Sequence, residues 1–253
     1  MLRAEGVSVH YGGVRAVDGV DAHLDEGELL GLIGPNGSGK STLLNALCGV
    51  VAASGKVRID GRPMPLGSPA AARRNGIARV FQVPQTYPEL SALENVVVGS
   101  HEQGLVGVAG AWFRRRAMWR LERSRCREAM ETLEMLGLAD VAAAPAESLS
   151  YGQRRLVDLA RAMVAQPRLV LLDEPSAGLN DSETEHLGGL LRTINRDLPM
   201  VLVDHKMGLI TSLCHRVTVL DTGTVVADGP PGEVLADPAV IRAYLGGPVD
   251  AES

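Results

Sequence analysis

The sequence predicts an α/β fold built on a parallel sheet covered by helices. Three observations carry this. Glu28-Leu29-Leu30-Gly31-Leu32-Ile33 is a near-continuous apolar run, as expected of a strand buried on both faces. Leu169–Leu172 and Met200–Val203 are two more such runs, each followed by an aspartate, at Asp173 and Asp204. A helical stretch, Ser182 to Arg196, separates the last two, and strands alternating with helices call for parallel pairing.

The remaining elements come in chain order. Val7-Ser8-Val9-His10 alternates, and Val57-Arg58-Ile59-Asp60 alternates before a turn at Gly61, so the first sixty residues are β-rich. A glycine-rich loop comes after the run ending at Ile33, and the apolar stretch Thr42 to Leu47 continues it, giving strand–loop–helix. Residues from about Leu90 to Arg161 are mostly helical and form a candidate subdomain. The tail returns to short strands over Arg216 to Asp228, with a turn at Thr222-Gly223, then short helices ending near Tyr244.

The chain has 253 residues, 45% apolar and 22% charged, which is globular composition with enough length for a sizeable core. The net charge of −5 does not suggest nucleic acid as a partner. No apolar run approaches the ~18–20 residues of a bilayer span. The start, with Arg3, Glu5, Val7 and Val9, is strand-like and not a signal peptide, so the expected location is cytoplasmic. Cys48, Cys126 and Cys214 are scattered without a C-x-x-C pair, which supports neither a disulfide framework nor a zinc site.

Gly34-Pro35-Asn36-Gly37-Ser38-Gly39-Lys40-Ser41, with Thr42 next, fits G-x-x-x-x-G-K-[ST]. Glycines let the backbone curl until successive N–H groups converge on phosphate oxygens, and the next helix adds its N-terminal partial charge. Lys40 would reach the β- and γ-phosphates of a nucleotide and the Ser41 hydroxyl would ligate Mg²⁺. A chance match is expected on the order of 0.003 times in a chain of this length and composition. Asp173-Glu174 comes directly after a buried run. A carboxylate there can hold the shell of the Mg²⁺, and the next one can polarise the attacking water.

Leu149-Ser150-Tyr151-Gly152-Gln153 precedes an apolar-periodic helix, and Ser150-x-x-Gln153 is also a capping box. The ordered set of phosphate loop, Leu-Ser-Tyr-Gly-Gln and Leu-Leu-Asp-Glu-Pro resembles the ATP-binding cassette (ABC) ATPases over essentially the whole chain. The resemblance implies a P-loop NTPase (RecA-like) core, an N-terminal antiparallel β-subdomain and an inserted helical subdomain. It implies one ATPase domain over 1–253, with 1–89 and 162–253 making the β-subdomain and core and about 90–161 the helical part.

The same resemblance implies residue roles. Tyr11 would stack on adenine. Gln82 would sense Mg²⁺ and the γ-phosphate. Ser150, Tyr151, Gly152 and Gln153 would form the signature that touches a nucleotide held by the opposite subunit. Ser176–Asp181 would cross the dimer interface, and His205 would be the switch histidine. With Lys40 and Glu174, Gln82 and His205 make the expected catalytic set; Ser41, Gln82 and Asp173 make the expected metal set.

Tyr151 departs from the general pattern, which has Gly, and resembles the subset serving branched-chain amino-acid importers. Leu93-Glu94-Asn95-Val96, a helical insertion after His101, and the ending Val240-Ile241-Arg242-Ala243-Tyr244-Leu245-Gly246 resemble that subset too. Asp204-His205-Lys206-Met207 stands where the subset tends to have Glu-His-Asp-Met. The implied partners are transmembrane permease subunits, a second ATPase subunit (a homologous chain or a copy of this one) forming an ATP-sandwich dimer and, indirectly, a solute-binding protein. The chain would then sit peripherally on the inner face of the cell membrane.

Residues 112–127 hold Trp112, Phe113, Trp119 and seven arginines. A solvated helix packing its aromatics on its own subdomain is the favoured reading, and an interfacial helix facing lipid head groups is the alternative. Within the same resemblance, importers of urea or short amides and lipid exporters share much of the pattern and stand as alternatives. Other classes fit less well. Soluble non-transport ABC ATPases typically carry two cassettes or a long coiled-coil insertion. A GTPase would need Asn-Lys-x-Asp, and none of the three lysines follows Asn.

Overall fold

The computed structural model describes residues 1–100 and 115–245. They fall into two compact units, 1–82 with 168–245, and 83–100 with 115–167. The sequence reading puts the changeover at about 90 and 161, the two ends of the stretch that reads as mostly helical.

The first unit holds two sheets. Strands β1 (Leu2–Tyr11), β2 (Val14–Leu24), β4 (Ser54–Ile59) and β5 (Arg62–Met64) form an antiparallel sheet in the order β2-β1-β4-β5. This is the expected N-terminal β-subdomain. Its inward residues, among them Leu2, Val7, Val9, Val17, Val20, Leu24, Val57 and Ile59, are buried while their neighbours face outward.

The second sheet runs β10-β9-β3-β8-β7-β6. Here β3 (Leu29–Ile33), β6 (Ile77–Val80), β7 (Leu169–Asp173), β8 (Met200–Val203) and β9 (Arg216–Asp221) are parallel, and β10 (Thr224–Gly229) pairs antiparallel at the edge. Every residue of β3, β7 and β8 is buried, which is why those segments are apolar without alternation. Helix α1 (Lys40–Leu47) places Leu43, Leu44 and Leu47 in one core with residues from both sheets. The short α2 (Pro69–Arg74) leads into β6.

The second unit is helical, with α3 (Ala92–Gly99), α4 (Arg115–Met135) and α5 (Tyr151–Met163). Ser91 starts α3 with a capping box to Glu94. Asn95, fully buried, accepts from the Tyr87 N–H and donates to the Tyr87, Leu90 and Ser91 carbonyls, fixing the loop before the helix. The start of the insertion after His101, with Trp112, Phe113 and Arg114, lies outside the described residues, as do the side chains of Arg115, Arg116, Trp119 and Arg120, and Gly246, the last residue of the Val240–Gly246 motif. Arg123 and Arg127 are exposed on α4. Back in the first unit, α6 (Asp181–Asn195) links β7 to β8, α7 (Met207–Leu213) leads to β9, and α8 (Pro231–Val234) and α9 (Pro238–Leu245) close the tail. Among the described residues no helix is long and apolar enough to cross a membrane.

Candidate functional site

Four adjacent parallel strands, in the order β3-β8-β7-β6, end along one edge of the sheet. Ligands of open parallel sheets bind beyond the carboxyl ends of strands. The residues just past each strand end are therefore the groups available to a ligand. Gly34 comes after β3, Phe81-Gln82 after β6, Glu174 after β7 and Asp204-His205 after β8.

The loop after β3 depends on glycine for close backbone packing. A Cβ at Gly34, where φ is 148°, would stand 2.0 Å from the Leu220 carbonyl oxygen. A Cβ at Gly39, where φ is 104°, would stand 2.5 Å from the Ala16 carbonyl oxygen. Both sites have backbone on the far side, so the loop cannot relax around a side chain. Gly39 opens α1, whose first-turn N–H groups face out of the helix. Lys40 curls back over the loop, and its Nζ donates to the carbonyls of Gly34 at 2.9 Å and Pro35 at 2.8 Å. Burial pushes the Lys40 pKa below the usual lysine range, with Glu174 and Asp173 pulling it back up.

Asp173 is 5% exposed and accepts from Ser41 and from Arg79. Ser41 Oγ donates to Oδ1 at 3.2 Å and Arg79 Nη2 to Oδ2 at 2.7 Å. Arg79 also donates to Asn45 Oδ1 and lies 4.7 Å from the Phe81 ring centre. Sequence reasoning missed Arg79. The only signal was an arginine inside a short apolar segment, beside Gln82.

Glu174 lies at φ 48°, in the left-handed region that a side chain enters only at a cost of roughly 1–3 kcal/mol. Its backbone N–H donates to the Val203 carbonyl at 2.8 Å. The carboxylate is held at both oxygens, with Gln82 Nε2 donating to Oε2 at 2.7 Å and His205 Nε2 lying 2.9 Å from Oε1. A carboxylate oxygen accepts, so His205 donates here from Nε2.

The structure thus brings Gly34–Thr42, Gln82, Asp173, Glu174 and His205 to one edge. Tyr11 is half-exposed at the end of β1, in a hairpin where it pairs with Val14. Ser150, Tyr151, Gly152 and Gln153 belong to the helical unit. There Ser150 Oγ accepts from the Gln153 N–H at 3.1 Å and Gln153 Oε1 accepts from the Ser150 N–H at 2.9 Å. Tyr151 is exposed at the first turn of α5.

Among the described residues no cluster of three His, Cys, Asp or Glu gathers at a point. The donors near the loop are a hydroxyl and single carboxylates. They suit a hard cation that keeps its waters and shares the phosphates of a nucleotide.

A strand, a glycine loop carrying a buried lysine, a helix and strand-end acids define a P-loop nucleotide hydrolase. The chain belongs to the ABC transporter family, whose model matches residues 17–177, and it is an ATP-hydrolysing transporter subunit. A second family model, for the branched-chain amino acid ATP-binding cassette transporter, matches residues 224–250. The chain is 35% identical over 250 residues to the high-affinity branched-chain amino acid transport ATP-binding protein BraF of Pseudomonas aeruginosa, covering 97% of this chain and 98% of that one. The nucleotide-free ATP-binding cassette of an ABC transporter superposes with a TM-score of 0.85 at 28% identity, covering 97% and 99% of the two chains. A dimeric post-hydrolysis cassette bound to ADP and phosphate superposes at 0.73 with 26% identity, covering 91% and 99%.

Proposed function

We propose that this chain hydrolyses ATP to drive high-affinity import of branched-chain amino acids. The observation that carries the substrate is the match of residues 224–250 to the branched-chain family, beside 35% identity to the Pseudomonas protein along nearly the whole chain.

In this reading the backbone N–H groups of the loop Gly34–Thr42, Pro35 aside, and the ammonium of Lys40 bind the β- and γ-phosphates, and Tyr11 stacks on the adenine. Ser41 and Asp173, with Gln82 at its edge, would hold Mg²⁺, which supplies charge neutralisation on the phosphates. Gln82 and His205 orient Glu174 by its two oxygens. Glu174 accepts a proton from the water whose oxygen bonds to the γ-phosphorus, while the bond from that phosphorus to the ADP oxygen breaks. Ser150, Tyr151, Gly152 and Gln153 of a second subunit touch the same γ-phosphate from the start of their helix. Loss of that phosphate removes the bridge, and the dimer opens.

The proposed partners are transmembrane permease subunits, a second ATPase subunit and, through the permease, a solute-binding protein. The chain would lie against the inner face of the membrane. The test is a pull-down of tagged Glu174→Gln chain with ATP and Mg²⁺ from gently extracted membranes. Two polytopic permeases with a similar ATPase are expected among the co-purifying chains. Ribosomal or repair proteins with no membrane subunit would overturn the transport reading.

A further inference from the structure

The three residues just after β8 each touch the segment that runs from the end of β7 into α6. Asp204, 3% exposed, accepts from the Ser176 N–H at 3.1 Å and from the Ser176 hydroxyl at 2.7 Å. His205 Nε2 meets Glu174 Oε1 at 2.9 Å. Lys206 Nζ donates to the Leu179 carbonyl at 3.0 Å and to Thr184 Oγ1 at 2.6 Å, with an Asp181 carboxylate oxygen 3.9 Å away. The Lys206 N–H donates back to Asp204 Oδ1 at 2.9 Å, which closes the set.

The donors and acceptors are consistent throughout. Thr184 Oγ1 donates its own proton to the Asn180 carbonyl at 2.7 Å, so its oxygen is available to accept from Lys206. Leu179 directly precedes Asn180, the residue that caps α6. The ammonium therefore grips the last turn of the loop and the first turn of the helix together. A lysine fits this place for its reach and its three protons. A shorter acidic side chain would offer no donor to the Leu179 carbonyl and would face Asp181.

We propose that Lys206 is a positioning residue for hydrolysis. It fastens the far end of the loop Ser176–Asp181 to the segment carrying His205, while Asp204 fastens the near end. A shift of His205 at the γ-phosphate is then carried to both ends of that loop. This rests on the reading of Glu174 and His205 as the hydrolytic pair.

The test is steady-state ATP hydrolysis by the purified full chain as Lys206→Met, Lys206→Arg, Thr184→Val and Lys206→Met/Thr184→Val, beside Glu174→Gln. Fluorescent-ATP titrations are run on each. Misplacement of reacting groups by an ångström can cost about 100-fold in rate, so Lys206→Met is expected to lose roughly 10-fold or more in kcat. Its ATP affinity is expected to stay within about twofold, Lys206→Arg to recover most of the rate, and Thr184→Val to add little to Lys206→Met because both cut one tie. Wild-type kcat in Lys206→Met beside an inactive Glu174→Gln overturns the role of Lys206 alone. A matching loss of binding and rate that arginine does not recover overturns it as well, since that marks a structural side chain. Full turnover in Glu174→Gln overturns the hydrolytic pair, and the Lys206 proposal with it.

Discussion

Glu174 and His205 stand at the ends of two neighbouring parallel strands, with His205 Nε2 2.9 Å from Glu174 Oε1. Gln82, from the end of a third strand, holds the other oxygen at 2.7 Å. One carboxylate is thus aimed by side chains from both flanking strands, on a residue whose backbone is itself strained at φ 48°. Removing its basicity while keeping its shape is the direct probe. Glu174→Gln is expected to keep ATP binding and to lower turnover by ~10²–10⁴, the usual contribution of a positioned general base. Turnover near wild type would assign the proton transfer to another group.

Lys40 carries a pH signature. Burial lowers its pKa in the folded chain, while bound phosphates favour the ammonium. Binding ATP therefore raises the pKa again and takes up a proton wherever Lys40 is partly neutral. Affinity is expected to fall as pH rises through the lowered pKa, at a lower pH than for an ordinary lysine. Calorimetry in buffers of different ionisation enthalpy should record proton uptake. Lys40→Ala is expected to weaken ATP binding by about 10- to 100-fold, the loss of a charge-assisted bond of about 1.5–3 kcal/mol, and to abolish the pH dependence. A pH-independent wild type would contradict this.

Arg79 and Asp173 form an ion pair with both side chains less than 10% exposed. Removing one member of a buried pair leaves the other desolvated and uncompensated, at a cost of about 3–5 kcal/mol. Arg79→Met is expected to lower the melting temperature by roughly 10 °C, and Arg79→Met/Asp173→Asn to recover part of that loss. A shift of only a degree or two would mean that water replaces the guanidinium.

The thiols should separate by reactivity. Burial pushes Cys48 up to about 11 and Cys214 up to about 12, and each is less than 10% exposed. Only the thiolate reacts. Iodoacetamide at pH 8 is expected to add one group, at Cys126, to the native chain and three to the denatured chain, as read by mass spectrometry. Native labelling at Cys48 would show that α1 opens.

The apolar runs at Leu29, Leu169 and Met200 were legible because strands buried on both faces need no alternation. The phosphate loop was legible because its chemistry is local, all within eight residues. Strand β6 (Ile77–Val80) was not, since Arg79 stands in a four-residue segment and its compensating charge, Asp173, lies 94 residues away. The ties of Asp204 and Lys206 were hidden for the same reason. Sequence marked both as departures, but their partners Ser176, Leu179 and Thr184 are 22–28 residues distant and meet them only because β7 and β8 are neighbours.

Uptake tests the central claim most directly. Cells carrying either the wild-type chain or Glu174→Gln are given radiolabelled leucine at low concentration, with ATP hydrolysis measured on membranes from the same cells. Leucine uptake and permease-stimulated hydrolysis are expected to be lost together in Glu174→Gln. Leucine uptake that persists while hydrolysis is abolished would contradict the coupling of this chain's ATPase to import.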